Sequence, residues 1–120
     1  MKESYVEQDA PSKIHKLSEF NALKQSGFKA ARKFYLYIFL PSEQKSFAII
    51  LSKKVGNAVK RNYEKRLMRV FIAKYYHLFP YVKCLVIRIP KKEGSFSEKE
   101  EDFIKNIDKL KAKFSPGAKS

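Results

Sequence analysis

Lys53, Lys54, Lys60, Arg61, Lys65, Arg66 and Arg69 fall within one stretch, Leu51 to Arg69, where Glu64 is the only acid. Val55-Gly56-Asn57 separates the two leading lysines from the rest, and Asn57 has the side chain of a helix N-cap. The cations beyond it would therefore sit on the first turns of a helix. Neighbouring like charges repel there, and the positive end of the helix dipole adds to the cost. A polyanion would relieve both, and nucleic acid is the commonest one. A plain solvated basic face is the bland alternative.

A helical wheel argues against the bland reading. Arg61, Lys65 and Arg69 recur at i, i+4 and i+8, with Asn62 and Arg66 widening that sector. Val59, Tyr63, Leu67, Val70, Phe71, Tyr75 and Leu78 gather on another side, which the wheel turns toward the rest of the fold. Past Arg69 the basic sector gives way to Ile72, Tyr76 and Phe79. A merely solubilising face would more often mix signs and run the whole helix.

Other chemistry finds little support. His15 and His77 are far apart, and no Cys/His spacing suits zinc. His77 reads as a helix-end or packing residue. No nucleophile, base and orienting group are grouped as covalent catalysis requires. Gly56 lacks a phosphate-loop frame. These residues describe a binding protein, with no catalytic or metal site of its own.

The whole chain agrees. Its 120 residues carry 26 Lys+Arg against 12 Asp+Glu, a net charge of +14, which favours anionic partners. No apolar run approaches the ~18–20 residues of a membrane span. The start, Met1-Lys-Glu-Ser-Tyr-Val-Glu-Gln-Asp9, lacks the apolar core of a signal peptide. The single cysteine, Cys84, lies in an apolar run and reads as a buried thiol in a reducing compartment. A cytoplasmic protein without membrane attachment is expected.

The elements that must position the basic stretch can be read in order. Residues 1–16 show no periodicity and are expected to be a flexible tail, with one domain over 17–115 and a short tail over 116–120. Ser18 is a candidate cap for a helix over Glu19–Ser26, stopped by Gly27. Phe28–Ala31 suggests an edge strand. Arg32–Leu40 alternates aliphatic Leu36, Ile38 and Leu40 with aromatic Tyr35, Tyr37 and Phe39. Either the strand lies between two helical layers, or its aromatics line an open face for unstacked bases.

Lys45–Lys53 is expected to return antiparallel to it. A helix from Ala58 to about Phe79 follows, then a covered central strand over Tyr81–Ile89. Ser97-Glu-Lys-Glu100 fits a capping box for a last helix, to about Phe114, with Phe103, Ile107, Leu110 and Phe114 as its apolar stripe. The order α-β-β-β-α-β-α defines an α+β sandwich.

The run Ser52-Lys-Lys-Val-Gly-Asn-Ala-Val-Lys-Arg-Asn-Tyr-Glu-Lys-Arg-Leu-Met-Arg69 resembles the signature of the protein subunit of bacterial ribonuclease P. That signature reads Lys-Lys-x-Gly-x-Ala-x-x-Arg-Asn-Arg-x-Lys-Arg-x-x-Arg. Lys53, Lys54, Gly56, Ala58, Arg61, Asn62, Lys65, Arg66 and Arg69 match it. Phe20, Gly27 and Arg32-x-Phe34-x-Leu-Tyr37 are similar to the family's upstream elements, so the resemblance spans residues 13–114.

The resemblance implies a ribosomal protein S5 domain 2-like fold with a left-handed β-α-β crossover, against the usual right-handed preference. It implies a non-catalytic subunit of a ribonucleoprotein, one protein per RNA, assisting 5′ maturation of precursor tRNA while the RNA cleaves with Mg²⁺. Lys53, Lys54, Lys60, Arg61, Asn62, Lys65, Arg66 and Arg69 would then meet the catalytic RNA. Phe20, Lys24, Arg32 and Tyr37 would meet the single-stranded 5′ leader. The runner-up is a general RNA-binding module, ribosome-associated or duplex-binding.

Two positions depart from the signature. Tyr63 stands in place of its second arginine, to pack or to stack, and Glu64 follows where an apolar residue is usual, with Lys60 as a possible partner. Lys24 replaces an aromatic frequent in the leader cleft, exchanging stacking for charge.

Overall fold

The computed structural model describes residues 12–14 and 16–114. The strands are β1 (Ser12–Lys13), β2 (Phe28–Ala31), β3 (Tyr35–Pro41), β4 (Ser46–Ile50) and β5 (Val82–Arg88). The helices are α1 (Leu17–Ser26), α2 (Ala58–Tyr75) and α3 (Phe96–Phe114), with short 3-10 turns at Lys53–Val55 and Tyr76–Leu78. One sheet has the order β1-β4-β5-β3-β2. The α+β sandwich read from the sequence is present, with β1 as an addition. A two-residue strand carries no periodicity, so nothing in the chain before Leu17 announced it. Of the expected tails at 1–16 and 116–120, residues 1–11, His15 and 116–120 lie outside the described residues, as does Ser115 of the expected domain.

Alternation along β3 sorts its side chains into two cores. Tyr35, Tyr37 and Phe39 join Phe71, Phe79, Cys84, Val86, Phe103 and Ile107 beneath α2 and α3. Ile38 joins Ile14, Leu23 and Leu85 on the other face, where Phe20, Leu36 and Leu40 pack beside them. The strand therefore lies between two helical layers, and the open aromatic face is not formed. Edge-on ring pairs such as Tyr37–Phe103, 5.4 Å between centroids, fill that space instead.

Two connections differ from the sequence reading. β4 runs opposite to β3 but is not its neighbour: β5 lies between them, antiparallel to β3 and parallel to β4. The segment β4–α2–β5 is thus a crossover joining adjacent parallel strands, and α2 is its connecting helix. The second difference is the start of β3, at Tyr35 rather than Arg32. Residues 32–35 are the hairpin turn between β2 and β3, closed by Arg32 N–H donating to Tyr35 O at 3.1 Å. No Gly, Asn or Pro marks it. Asp102 on α3 shapes it from outside, its carboxylate accepting from the backbone N–H groups of Lys33, Phe34 and Tyr35 at 3.0–3.1 Å. Asn106 donates to Tyr35 O at 2.8 Å, one helical turn on.

The helix ends follow local chemistry. Asn57 caps α2, its side chain accepting from Lys60 N–H at 2.9 Å. The capping box of α3 is Ser95 with Glu98, two residues before the expected one. Ser97 instead lies inside the first turn. α1 starts at Leu17 after Lys16, without a side-chain cap at Ser18. Gly27 ends it in an extended conformation, so its role is space: a Cβ there would lie 2.4 Å from Leu23 O and 2.6 Å from Ile38 Cγ2.

Asp102→Ala should leave two buried backbone donors, those of Phe34 and Tyr35, and the partly buried one of Lys33 without their acceptor. At ~1–3 kcal/mol for each buried group, a loss of about 2 kcal/mol or more is expected in urea unfolding. A loss below about 1 kcal/mol would mean the turn holds itself.

Candidate nucleic-acid interface

The basic stretch enters α2 through a sharp turn. Ser52 Oγ accepts from Lys54 N–H at 3.3 Å, and Gly56 follows with φ 152°, a conformation that favours glycine. Gly56 O accepts from the Arg61 guanidinium at 2.7 Å, which pins that side chain back onto the turn.

α2 presents a different face from the one the wheel selected. Its buried residues are Glu64, Leu67, Met68, Phe71 and Ile72. Val59, Tyr63 and Val70, expected to face inward, are 77%, 46% and 50% exposed. The helix is turned by roughly three quarters of its 100° residue step relative to the wheel. The cause is Glu64, which a hydrophobicity wheel places outside.

Glu64 is 1% exposed, and its carboxylate bridges two buried cations. Arg88 Nε lies 2.9 Å from one oxygen and Lys99 Nζ 2.8 Å from the other. Arg88 also donates to Ile89 O and Lys92 O, at 2.6 and 2.8 Å. Burial pushes the Glu64 carboxyl up, but the hydrogen bonds from Arg88 and Lys99 outweigh it and hold the pKa below the ordinary 4.5. Lys60, the partner offered by the sequence, pairs instead with Glu93 at 2.6 Å.

With Glu64 inside, the remaining cations stand outside. Lys53, Lys54, Lys65, Arg66 and Arg69 are exposed, and none pairs with a carboxylate among the described residues. Asn62 is exposed among them.

Beside this array runs a cleft of about 630 Å³, lined by Phe20 of α1, Ile14, Phe47–Ile49 of β4, and Lys65, Arg69 and Ile72 of α2. A smaller hollow of about 270 Å³, lined by Arg61, Asn62, Lys65, Ile49 and Leu51, shares Lys65 and Ile49 with it. Apolar floor, the rings of Phe20 and Phe47 and cationic walls together suit a flexible anionic strand.

The residues expected at the leader do not form one surface. Phe20 lines the cleft, and Lys24 is exposed on α1 without lining it. Arg32 lies at the β2–β3 turn, its Nε 3.4 Å from Asp102 on the α3 side. Tyr37 is fully buried and donates its hydroxyl to Phe103 O at 2.9 Å, so it is a core residue closed to any ligand. The strand's alternation decides this, because Tyr37 shares a face with Tyr35 and Phe39. Conversely, Lys13 and the β4 edge line the cleft; the sequence reading assigned neither a role.

Among the described residues, no three His, Cys, Asp or Glu side chains stand together as a metal site. No helix there is long and apolar enough to cross a membrane.

An α+β sandwich carrying an unpaired cationic helix face beside an apolar cleft belongs to the nucleic-acid-binding class of surfaces. Comparison with known proteins gives the family. The family model described as Ribonuclease P matches residues 9–111, and the chain belongs to that family. A ribonuclease P protein component from Bacillus cereus is 38% identical over 97 residues, 77% of this chain and 84% of the relative. One from Nitratiruptor is 24% identical over 94 residues, 78% of this chain and 86% of the relative. The RNase P protein from Thermotoga maritima superposes with TM-score 0.73 at 17% identity, over 82% of this chain and 96% of that one. The Staphylococcus aureus RNase P protein gives 0.71 at 22%, over 82% and 93%. The fold is the sandwich of those proteins, including the β4–α2–β5 crossover.

Removing Glu64 should strand two buried cations. Glu64→Ala is expected to cost about 3–5 kcal/mol in urea unfolding. Because the folded carboxyl titrates below the ordinary 4.5, its stabilisation is fully present above 4.5 and is lost as pH falls from there through the lower folded pKa. Glu64→Gln should flatten that part of the acid profile; an unchanged profile would show that the triad does not set it.

Proposed function

We propose that this chain is the RNA-binding protein subunit of a ribonuclease P ribonucleoprotein. Its α2 face meets the catalytic RNA, and its cleft takes the 5′ leader of precursor tRNA. The observation that carries the reading is the array Lys53, Lys54, Asn62, Lys65, Arg66 and Arg69, exposed without carboxylate partners among the described residues and bordered by the cleft holding Phe20. Family membership makes the assembly an endoribonuclease complex.

In this reading the chain supplies affinity, and the RNA with Mg²⁺ performs the cleavage. Arg66 and Arg69 are free to contact phosphates. Arg61 and Lys60 act partly through the turn and the Glu93 pair that engage them. Phe20 offers a ring to an unstacked base, and Lys65 and Arg69 track the strand's phosphates. Lys24 adds charge at the approach along α1. One protein serves each RNA, in the cytoplasm.

Reconstitution with a bacterial ribonuclease P RNA at low Mg²⁺ tests this directly. Cleavage of precursor tRNA or affinity for it should rise when the protein is added. Arg66→Ala should weaken RNA binding by ~1 kcal/mol or more and reduce the salt slope by about one. No gain on adding the protein would overturn the reading. Equal affinity for unrelated duplex RNA would favour a general RNA-binding module.

A further inference from the structure

The face that the wheel assigned to the core leaves an unexplained feature on the surface. Val59, Tyr63, Arg66 and Val70 lie along one exposed sector of α2, and none of them lines the cleft. Tyr63 stands there where the signature has an arginine. It is half exposed, yet it is not loose: Lys99 Nζ lies 5.7 Å from its ring centroid. Lys99 is itself buried and held at 2.8 Å by Glu64. The ring therefore has a cation behind one face, a helix beneath it and solvent in front. Arg66 on the next turn and Asn62 beside it supply charge and hydrogen bonding.

Resting on the function proposed above, we infer that Tyr63 is a stacking platform for an unpaired nucleobase of the bound RNA. The apolar flanks argue for a base rather than a phosphate. Val59 and Val70 are 77% and 50% exposed, and neither offers a donor to an anion. The Tyr63 hydroxyl can donate one neutral hydrogen bond to a phosphate, but it lacks the charge and the bidentate fork of the arginine in the signature. A tyrosine ring offers a π-face that any base can cover, and the cations around it hold the strand in place. The neighbouring Glu64 gives the arrangement its rigidity, because it fixes the Lys99 that backs the ring. The two departures from the signature thus form one device. Glu64 anchors the support, and Tyr63 exchanges a phosphate contact for a stack.

The test is the affinity of the full-length protein for an in vitro transcript of a bacterial ribonuclease P RNA, measured across a salt series. Tyr63→Ala should weaken binding roughly five- to a hundredfold, as loss of one stacked base does. The slope of log K against log salt should stay as in the unaltered chain, since no charge is removed. Tyr63→Phe should keep the affinity, and Tyr63→Arg should steepen the slope by about one. A Tyr63→Ala protein that unfolds at the same urea midpoint and binds within twofold of the unaltered chain would overturn the inference. So would a loss of affinity with Tyr63→Phe as large as with Tyr63→Ala. Arg66→Ala run in parallel separates the two levels. If it weakens binding while Tyr63→Ala does not, the RNA-binding reading stands and the stack falls; if the unaltered chain does not bind, both fall.

Discussion

A carboxylate placed among buried rings governs how this chain presents its charge. Glu64 is enclosed on α2 with Arg88 from β5 on one side and Lys99 from α3 on the other. Separately, each of these charges would be costly to remove from water; joined within hydrogen-bond distance, the one carboxylate offsets much of that cost, and the positive charge left over is met by backbone carbonyls that accept from Arg88. The triad links the crossover helix, the central strand and the last helix at a single point. Through the bonds of Arg88 to Ile89 O and Lys92 O it also ties down the loop after β5. The rotation of α2 follows from it, and the rotation decides which cations and which apolar side chains reach solvent.

The same device recurs along α3. Lys99, Asp102 and Asn106 are all buried, spaced so that one flank of the helix is polar while Phe103, Ile107 and Leu110 fill the other. Asp102 replaces the turn residues that the β2–β3 hairpin lacks, and Asn106 continues the contact. A small domain with excess positive charge thus uses its few internal acids to organise backbone and buried cations. Its surface cations are left without carboxylate partners among the described residues, as a polyanion-binding face requires.

The two helical layers divide the labour. α2 and α3 close one face of the sheet over the aromatic core. α1 covers the other only in part, contacting β3 and β5 and leaving the β1–β4 side as a cleft. Because α2 borders that cleft through Lys65 and Arg69, the helix face and the cleft are adjacent. The exposed cations of α2 and the apolar floor of the cleft therefore form one continuous surface.

Much of this was legible in the residues. Alternation in β3 and β5, the Asn57 cap and the cation spacing on α2 are local patterns, and local patterns survive folding because they arise from backbone period and near-neighbour chemistry. The long signature from Lys53 to Arg69 pointed to the family for the same reason. What the sequence could not settle were the long-range polar contacts. Glu64 and Lys99 are 35 residues apart, and Asp102 lies 67–69 from the groups it caps. Hydrophobicity counts such residues as surface, so the sequence offers Glu64 only Lys60 as a partner, places Tyr63 on the inward stripe, and reads the turn at 32–35 as strand. Tyr37 was misassigned for a related reason: two apolar faces look alike until the helices that cover them are in place. Type and spacing determined the elements and the chemistry of the basic helix. Only the tertiary structure decided which side of it reaches solvent, because that choice is made by charges that meet across the core.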